Sequence, residues 1–201
     1  MWSYEEFLEY WFGPKQGLEL PDEESLRRWF EADRKFDREL RRRFMTTMLL
    51  AVEGGLDHWA DQPLGCLAIV ILVDHVSRRI YQGTAMAYDN NKIARKYSQQ
   101  GIAARLDLQL STVQQIFFYQ PFLHSERKED QKHSVDLYSD LRARAANDEQ
   151  SLVQHFLNDA TRRFEIIQRF GRFPHRNKVL KRASRPEEAL FLGNDQFVFK
   201  A

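Results

Sequence analysis

A chain of 201 residues is long enough to build one hydrophobic core and does not require two. Its 30 basic and 29 acidic side chains leave a net charge of +1, which disfavours a nucleic-acid partner, since phosphate-backbone binders carry a large basic excess. The single cysteine, Cys66, sits in an apolar stretch and reads as a buried small hydrophobe. With no disulfide framework, the expected compartment is the reducing cytoplasm.

The first residues are acidic and carry no basic region ahead of an apolar one, so no secretory leader is expected. Ser3 with Glu6 forms a capping-box pair, which opens a short helix that Gly13-Pro14 stops. A second helix follows Pro21-Asp22 and carries Leu26, Trp29 and Phe30. Asp33 caps a third, whose apolar stripe is Phe36, Leu40, Phe44, Met48 and Ala51, ended by Gly54-Gly55. Trp11, Phe12 and Trp29 are expected to pin the N-terminal helices to the body of the fold.

Pro63 suits the first position of the next helix, which is apolar almost all round from Leu64 to Val73 and so belongs at the centre. The run is far short of the roughly 20 apolar residues that a membrane helix needs. It turns polar at Asp74-His75 and continues to Tyr81. A further helix is predicted from Ala85 to about Gln100, stopped by Gly101. Ser111 with Gln114 caps another, ended by Pro121. Ser125 is expected to cap a long polar helix through Asn147. One more covers roughly Glu149 to Arg169, and Ser184 with Glu187 caps a last one that Gly193 closes. No segment alternates as a strand would, and no linker divides residues 1–201, so the expectation is one all-helical domain of about eight helices.

No glycine-rich phosphate loop, paired cysteine motif or His-Glu-x-x-His is present, so no cofactor and no metal are called for. Three polar clusters nevertheless break the helical pattern. Asp74 and Arg78 share a helix face directly after the most apolar turn, as a structural ion pair or as part of a site. His124, Ser125 and Glu126 stand where an aromatic run meets a helix start. Capping accounts for Ser125 and Glu126, while His124 has the ordinary pKa for proton transfer. Arg169, Arg172, His175 and Arg176 interleave with Phe170 and Phe173 around Gly171 and Pro174. They either satisfy helix ends and carboxylates of the fold or form an anion site.

The same clusters carry a family resemblance. Tyr10-Trp11-Phe12-Gly13, Leu67 to Asp74 with Arg78, Pro121 to Glu126 with Gln131, and Arg169 to Asn177 (RFGRFPHRN) resemble, in order, the motifs of the bacterial family filed as domain of unknown function 924. The resemblance covers about residues 7–192. It implies an all-helical fold of the tetratricopeptide-like right-handed superhelical class and little about chemistry. His75 departs from the family's usual glutamine, and Arg163 stands where the family tends to carry a histidine.

The leading expectation is a pocket for a small anionic molecule, with an enzyme site left open. Arg78, Arg169, Arg172 and Arg176 would bind the anion, and His124, Glu126, Asp74 and His175 would orient groups or move protons. The alternative is a helical interaction module whose arginine-rich groove clamps an acidic peptide or protein. Neither reading calls for nucleic acid or a membrane.

Overall fold

Residues 2–15 and 17–193 are described by a computed structural model, and every regular element among them is helical. In α1 (Tyr4–Phe12) the Glu6 N–H donates to the Ser3 hydroxyl at 3.2 Å, and the Ser3 N–H donates to the Glu6 carboxylate at 2.8 Å. The capping box is therefore complete. Asp22 and Asp33 cap α2 (Glu23–Phe30) and α3 (Arg34–Val52) with their carboxylates alone, which accept from the N–H groups of Ser25 and of Lys35 and Phe36. The predicted stripe of α3, from Phe36 to Ala51, is buried along its whole length. Trp29 donates its indole N–H to the Trp11 carbonyl at 2.8 Å, and the rings of Trp11, Phe12 and Trp29 all meet Phe117 edge-on. That contact fastens the first two helices to the body of the fold.

The central helix is α4 (Pro63–Ile71), which packs against α1 and against two helices further along the chain. It is buried from Gly65 onward because it has no polar face to turn outward. Gly65 is obligatory for its placement. A Cβ there would stand 2.2 Å from the Trp59 carbonyl oxygen. Beyond Ile71 the helix widens into a π-helical turn (Leu72–Val76) and tightens again as α5 (Ser77–Ile80). Such a turn inserts an extra residue and re-aims the side chains on it, here Asp74 and His75.

Ser184 does not form the expected cap of the last helix: its hydroxyl accepts from Asn177 at 3.2 Å, and the Arg185 N–H donates to Glu188 at 2.7 Å. Three further boundaries differ from expectation, each for a packing reason. Instead of one helix stopped by Gly101, a break at Asn90 separates α6 (Met86–Asp89) from α7 (Asn91–Ala103), and α7 runs straight through Gly101. That glycine serves packing, since a Cβ would come within 2.5 Å of Phe118 and 3.2 Å of Cys66. The second difference lies in α8 (Thr112–Leu123), which starts on the Ser111–Gln114 capping box but passes Pro121 by two residues. Proline in a last turn disrupts little if the carbonyls left over find donors. Asn91 donates to the Pro121 carbonyl at 2.9 Å, and Gln131 donates to the carbonyls of Leu123 and Ser125 at 2.8 and 2.7 Å. Third, Ser125 does not cap α9 (Lys128–Arg144). Its hydroxyl donates to Asp130 at 2.7 Å instead.

α9 packs between α8 and α10 (Gln150–Phe170), which Gly171 ends in the left-handed conformation, φ +70°. The chain then turns through Pro174–Arg176 into α11 (Pro186–Gly193). Ile166, Ile167, Phe170, Phe173 and Phe191 form a small second core beneath it.

Candidate functional site

The α8 terminus, with its carbonyls held by Asn91 and Gln131, fixes His124 directly opposite the π-helical turn. His124 Nδ1 lies 2.6 Å from Asp74 Oδ2. Asp74 also accepts from Arg78 Nε at 3.2 Å, and it is 1% exposed. Burial disfavours the Asp74 carboxylate, but His124 and Arg78 outweigh it and hold its pKa below the usual carboxylate range. An ionised carboxylate only accepts, so Nδ1 carries the proton and donates it. Burial and the Arg78 charge push the His124 pKa well down despite Asp74, which leaves a neutral imidazole with Nε2 as its basic nitrogen. A carboxylate fixing the tautomer of a neutral histidine is the arrangement of a general base.

Arg78 stacks over the Tyr88 ring, its guanidinium carbon 5.2 Å from the centroid. Arg176 stacks on the same ring at 4.6 Å and on Phe173 at 4.4 Å. Tyr88 thus joins the π-helical turn to the Pro174–Arg176 loop. Arg176 is 4% exposed, yet it makes no ion pair and no hydrogen bond from its side chain among the described residues, and its buried Nε has no acceptor. Burial and the nearby Arg78 charge depress its pKa well below the ordinary guanidinium value. The Nη2 atom of Arg78 is likewise buried without an acceptor.

Arg78, Tyr88, His124 and Arg176 line a concavity of about 1410 Å³, together with His75, Gln120, Arg163 and His175, and Asp74 is held beside it by His124 and Arg78. Burial lowers the His75 pKa to about 4. Burial and the Arg176 and Arg163 charges lower that of His175 to about 3. Arg163 is bound to Asp159 at 2.9 Å. Another part of the wall is apolar, made by Leu26, Trp29, Phe30, Leu152 and Phe156, and the charged side chains Glu23, Glu24, Arg27, Asp148 and Arg162 also line the concavity.

Of the sequence-predicted residues, Asp74, Arg78, His124, His175 and Arg176 come together here. Three do not, and the expectation that they share the concavity is corrected. Glu126 takes both terminal nitrogens of Arg182, at 2.7 and 3.0 Å, and the Phe173 N–H at 2.8 Å. Arg172 forks onto the fully buried Glu188 at 2.6 and 2.8 Å. Arg169 is exposed and folds over its own neighbour Phe170. Glu126 and Arg172 hold the C-terminal segment in place. Conversely, His75, Tyr88 and Arg163 belong to the wall and were not among the candidates. Their signal was weak: Arg163 is four residues from Asp159, and His75 directly follows Asp74.

Among the described residues, no three His, Cys, Asp or Glu side chains are placed to hold a metal ion, and no helix is long and apolar enough to cross a membrane. The family described as "Bacterial protein of unknown function (DUF924)" matches residues 7–196. A protein of unknown function from Agrobacterium tumefaciens, ATU0120, has a similar structure, with 34% sequence identity and a TM-score of 0.73 over 82% of this chain and 87% of that one. No curated protein matches the chain.

Proposed function

The chain belongs to this bacterial family of unknown function, and we propose that its concavity binds a small anionic molecule. The carrying observation is Arg176, a buried guanidinium with aromatic rings on its faces and no carboxylate of its own. Leaving a buried cation without a counter-charge is strongly unfavourable, and the simplest compensation is an anion from solution. Arg78 offers a second donor at the same place, and the Asp74–His124 pair supplies a base beside it. An enzyme site of the acid–base type is one use of that pair. A tetratricopeptide-like superhelix, as the resemblance implies, is compatible with this helix order. The acidic-peptide reading has less support, because the exposed charges of the lining, Glu23, Glu24 and Asp148 beside Arg27 and Arg162, offer such a partner no net positive groove.

Thermal unfolding in the presence of millimolar carboxylates, phosphates and sulfates tests the proposal. A ligand present at 100 times its Kd adds about 2.7 kcal/mol of stability. At least one anion class should raise the Tm of the wild type and leave that of Arg176→Gln unchanged. A wild-type Tm indifferent to every anion would refute the proposal.

A further inference from the structure

Resting on that anion-binding reading, we infer that the ligand is an amphiphilic monoanion, with a carboxylate head at Arg176 and an apolar hydrocarbon or aryl body extending along α2 and α10. Two independent features of the concavity carry this: its charge count and the order of its walls.

At the closed end stand three guanidinium groups, Arg78, Arg163 and Arg176, and two carboxylates, Asp74 and Asp159. Glu126 and Arg182 close by cancel each other. His75, His124 and His175, held well below the usual histidine range by burial, are neutral at pH 7. One positive charge remains, on the arginine that has no carboxylate. A single negative charge neutralises it, whereas a dianion would leave buried excess of the opposite sign.

The wall changes character in a fixed order. Arg176 and Arg78 share Tyr88. Arg78 and His124 share Asp74. The His124 ring lies 5.8 Å from His75, and His75 lies 6.2 Å from Phe30. Phe30 in turn meets Phe156 at 5.2 Å, with Leu26 and Leu152 alongside. Beyond the histidines these aromatic and aliphatic side chains form one continuous stretch of the lining, which also includes the charged Glu23, Glu24, Arg27, Asp148 and Arg162. A lone carboxylate or sulfate would fill only the inner end of about 1410 Å³, a volume above the usual range for drug-sized ligands. The half-buried side chains of Leu26, Phe30 and Leu152 gain by covering a hydrocarbon body.

Calorimetric titration of the full chain at pH 8 with straight-chain carboxylates, from acetate to decanoate and below their micelle concentrations, tests this. Octanol and octyl phosphate serve as comparisons. The Kd should tighten by about threefold to fourfold for each added methylene that is buried. Octanol should not bind, and octyl phosphate should bind no tighter than octanoate. Leu152→Asn should flatten the chain-length dependence and leave acetate unchanged, while Arg176→Gln should abolish binding across the series. A flat series with acetate still bound would overturn the amphiphile and leave the anion pocket standing. Octyl phosphate binding tenfold tighter than octanoate would overturn the single-charge assignment. Octanol binding as well as octanoate, or no binding by any anion, would overturn the anion reading itself.

Discussion

Replacing Arg176 by methionine separates a binding residue from a structural one, because the two roles predict opposite signs. Arg176 is 4% exposed, and its buried Nε lacks an acceptor. An unsatisfied buried donor costs about 1–3 kcal/mol, and an uncompensated charge adds to that. Stacking on Tyr88 and Phe173 returns about 0.5–2 kcal/mol for each ring. Methionine keeps much of the apolar stem, carries no charge, and makes sulfur–aromatic contacts of about 0.3–1.5 kcal/mol with the same rings. The balance favours Arg176→Met by about 1–3 kcal/mol in the absence of ligand. For a chain of this size that corresponds to a rise in Tm of roughly 2–12 °C. Urea unfolding in a low-salt zwitterionic buffer, without carboxylate, phosphate or sulfate, measures it. Arg172→Met is the control, since it strips the buried Glu188 of its fork and should destabilise the protein. A loss of about 2 kcal/mol or more in Arg176→Met would show that Arg176 is a strut of the fold and would remove the reason for an anion.

Two further outcomes follow from the same geometry. Leu72→Ala, at a side chain with no exposure in the first position of the π-helical turn, should cost about 2–5 kcal/mol in urea unfolding, and a loss under about 1 kcal/mol would contradict the central placement of this segment. The buried histidines set the acid response. His75 titrates near 4 in the folded state against about 6.5 unfolded, so its stabilising contribution is complete above about pH 6.5 and is lost as the pH falls toward 4. Between pH 7 and pH 5 the unfolded chain gains most of a proton there, equivalent to about 2 kcal/mol. His124 and His175 shift in the same direction, while Asp74 stays ionised throughout that window. His75→Gln should therefore lose less stability between pH 7 and pH 5 than the wild type. Identical losses would contradict a buried neutral His75.

The fold was legible where one local rule decided it. Ser3 with Glu6 and Ser111 with Gln114 are caps that need nothing beyond their own helix, and both are in place. The stripe from Phe36 to Ala51 and the all-apolar α4 likewise declare their burial by period alone. Gly101 and Pro121 misled because both are breakers in isolation. Gly101 stays helical because Phe118 and Cys66 leave no room for a Cβ, and Pro121 because Asn91 and Gln131, from two other helices, take up the carbonyls at the end of α8. Those partners are remote in sequence, so no local pattern could announce them.

The candidate site follows the same division. Its central pair could be suspected, because Asp74 and Arg78 interrupt an apolar helix and charges there need company. The π-helical turn that aims Asp74 at His124 leaves no mark in the sequence, since one inserted residue shifts the register without changing composition. The loop from Arg169 to Arg176 shows the limit most clearly. Its arginines look equivalent in sequence, and spacing gives no reason to prefer one. Gly171 in the left-handed conformation and the tight Pro174–Arg176 turn send them to different places: Arg169 over Phe170, Arg172 onto Glu188, and Arg176 between Tyr88 and Phe173. What separates them is whether the fold supplies a carboxylate where each one lands. Arg172 lands on one and becomes structural. Arg176 lands on two rings and keeps its charge, and a fold that can place Glu188 under one guanidinium has left the other, at the wall of a cavity, for something that is not part of the chain.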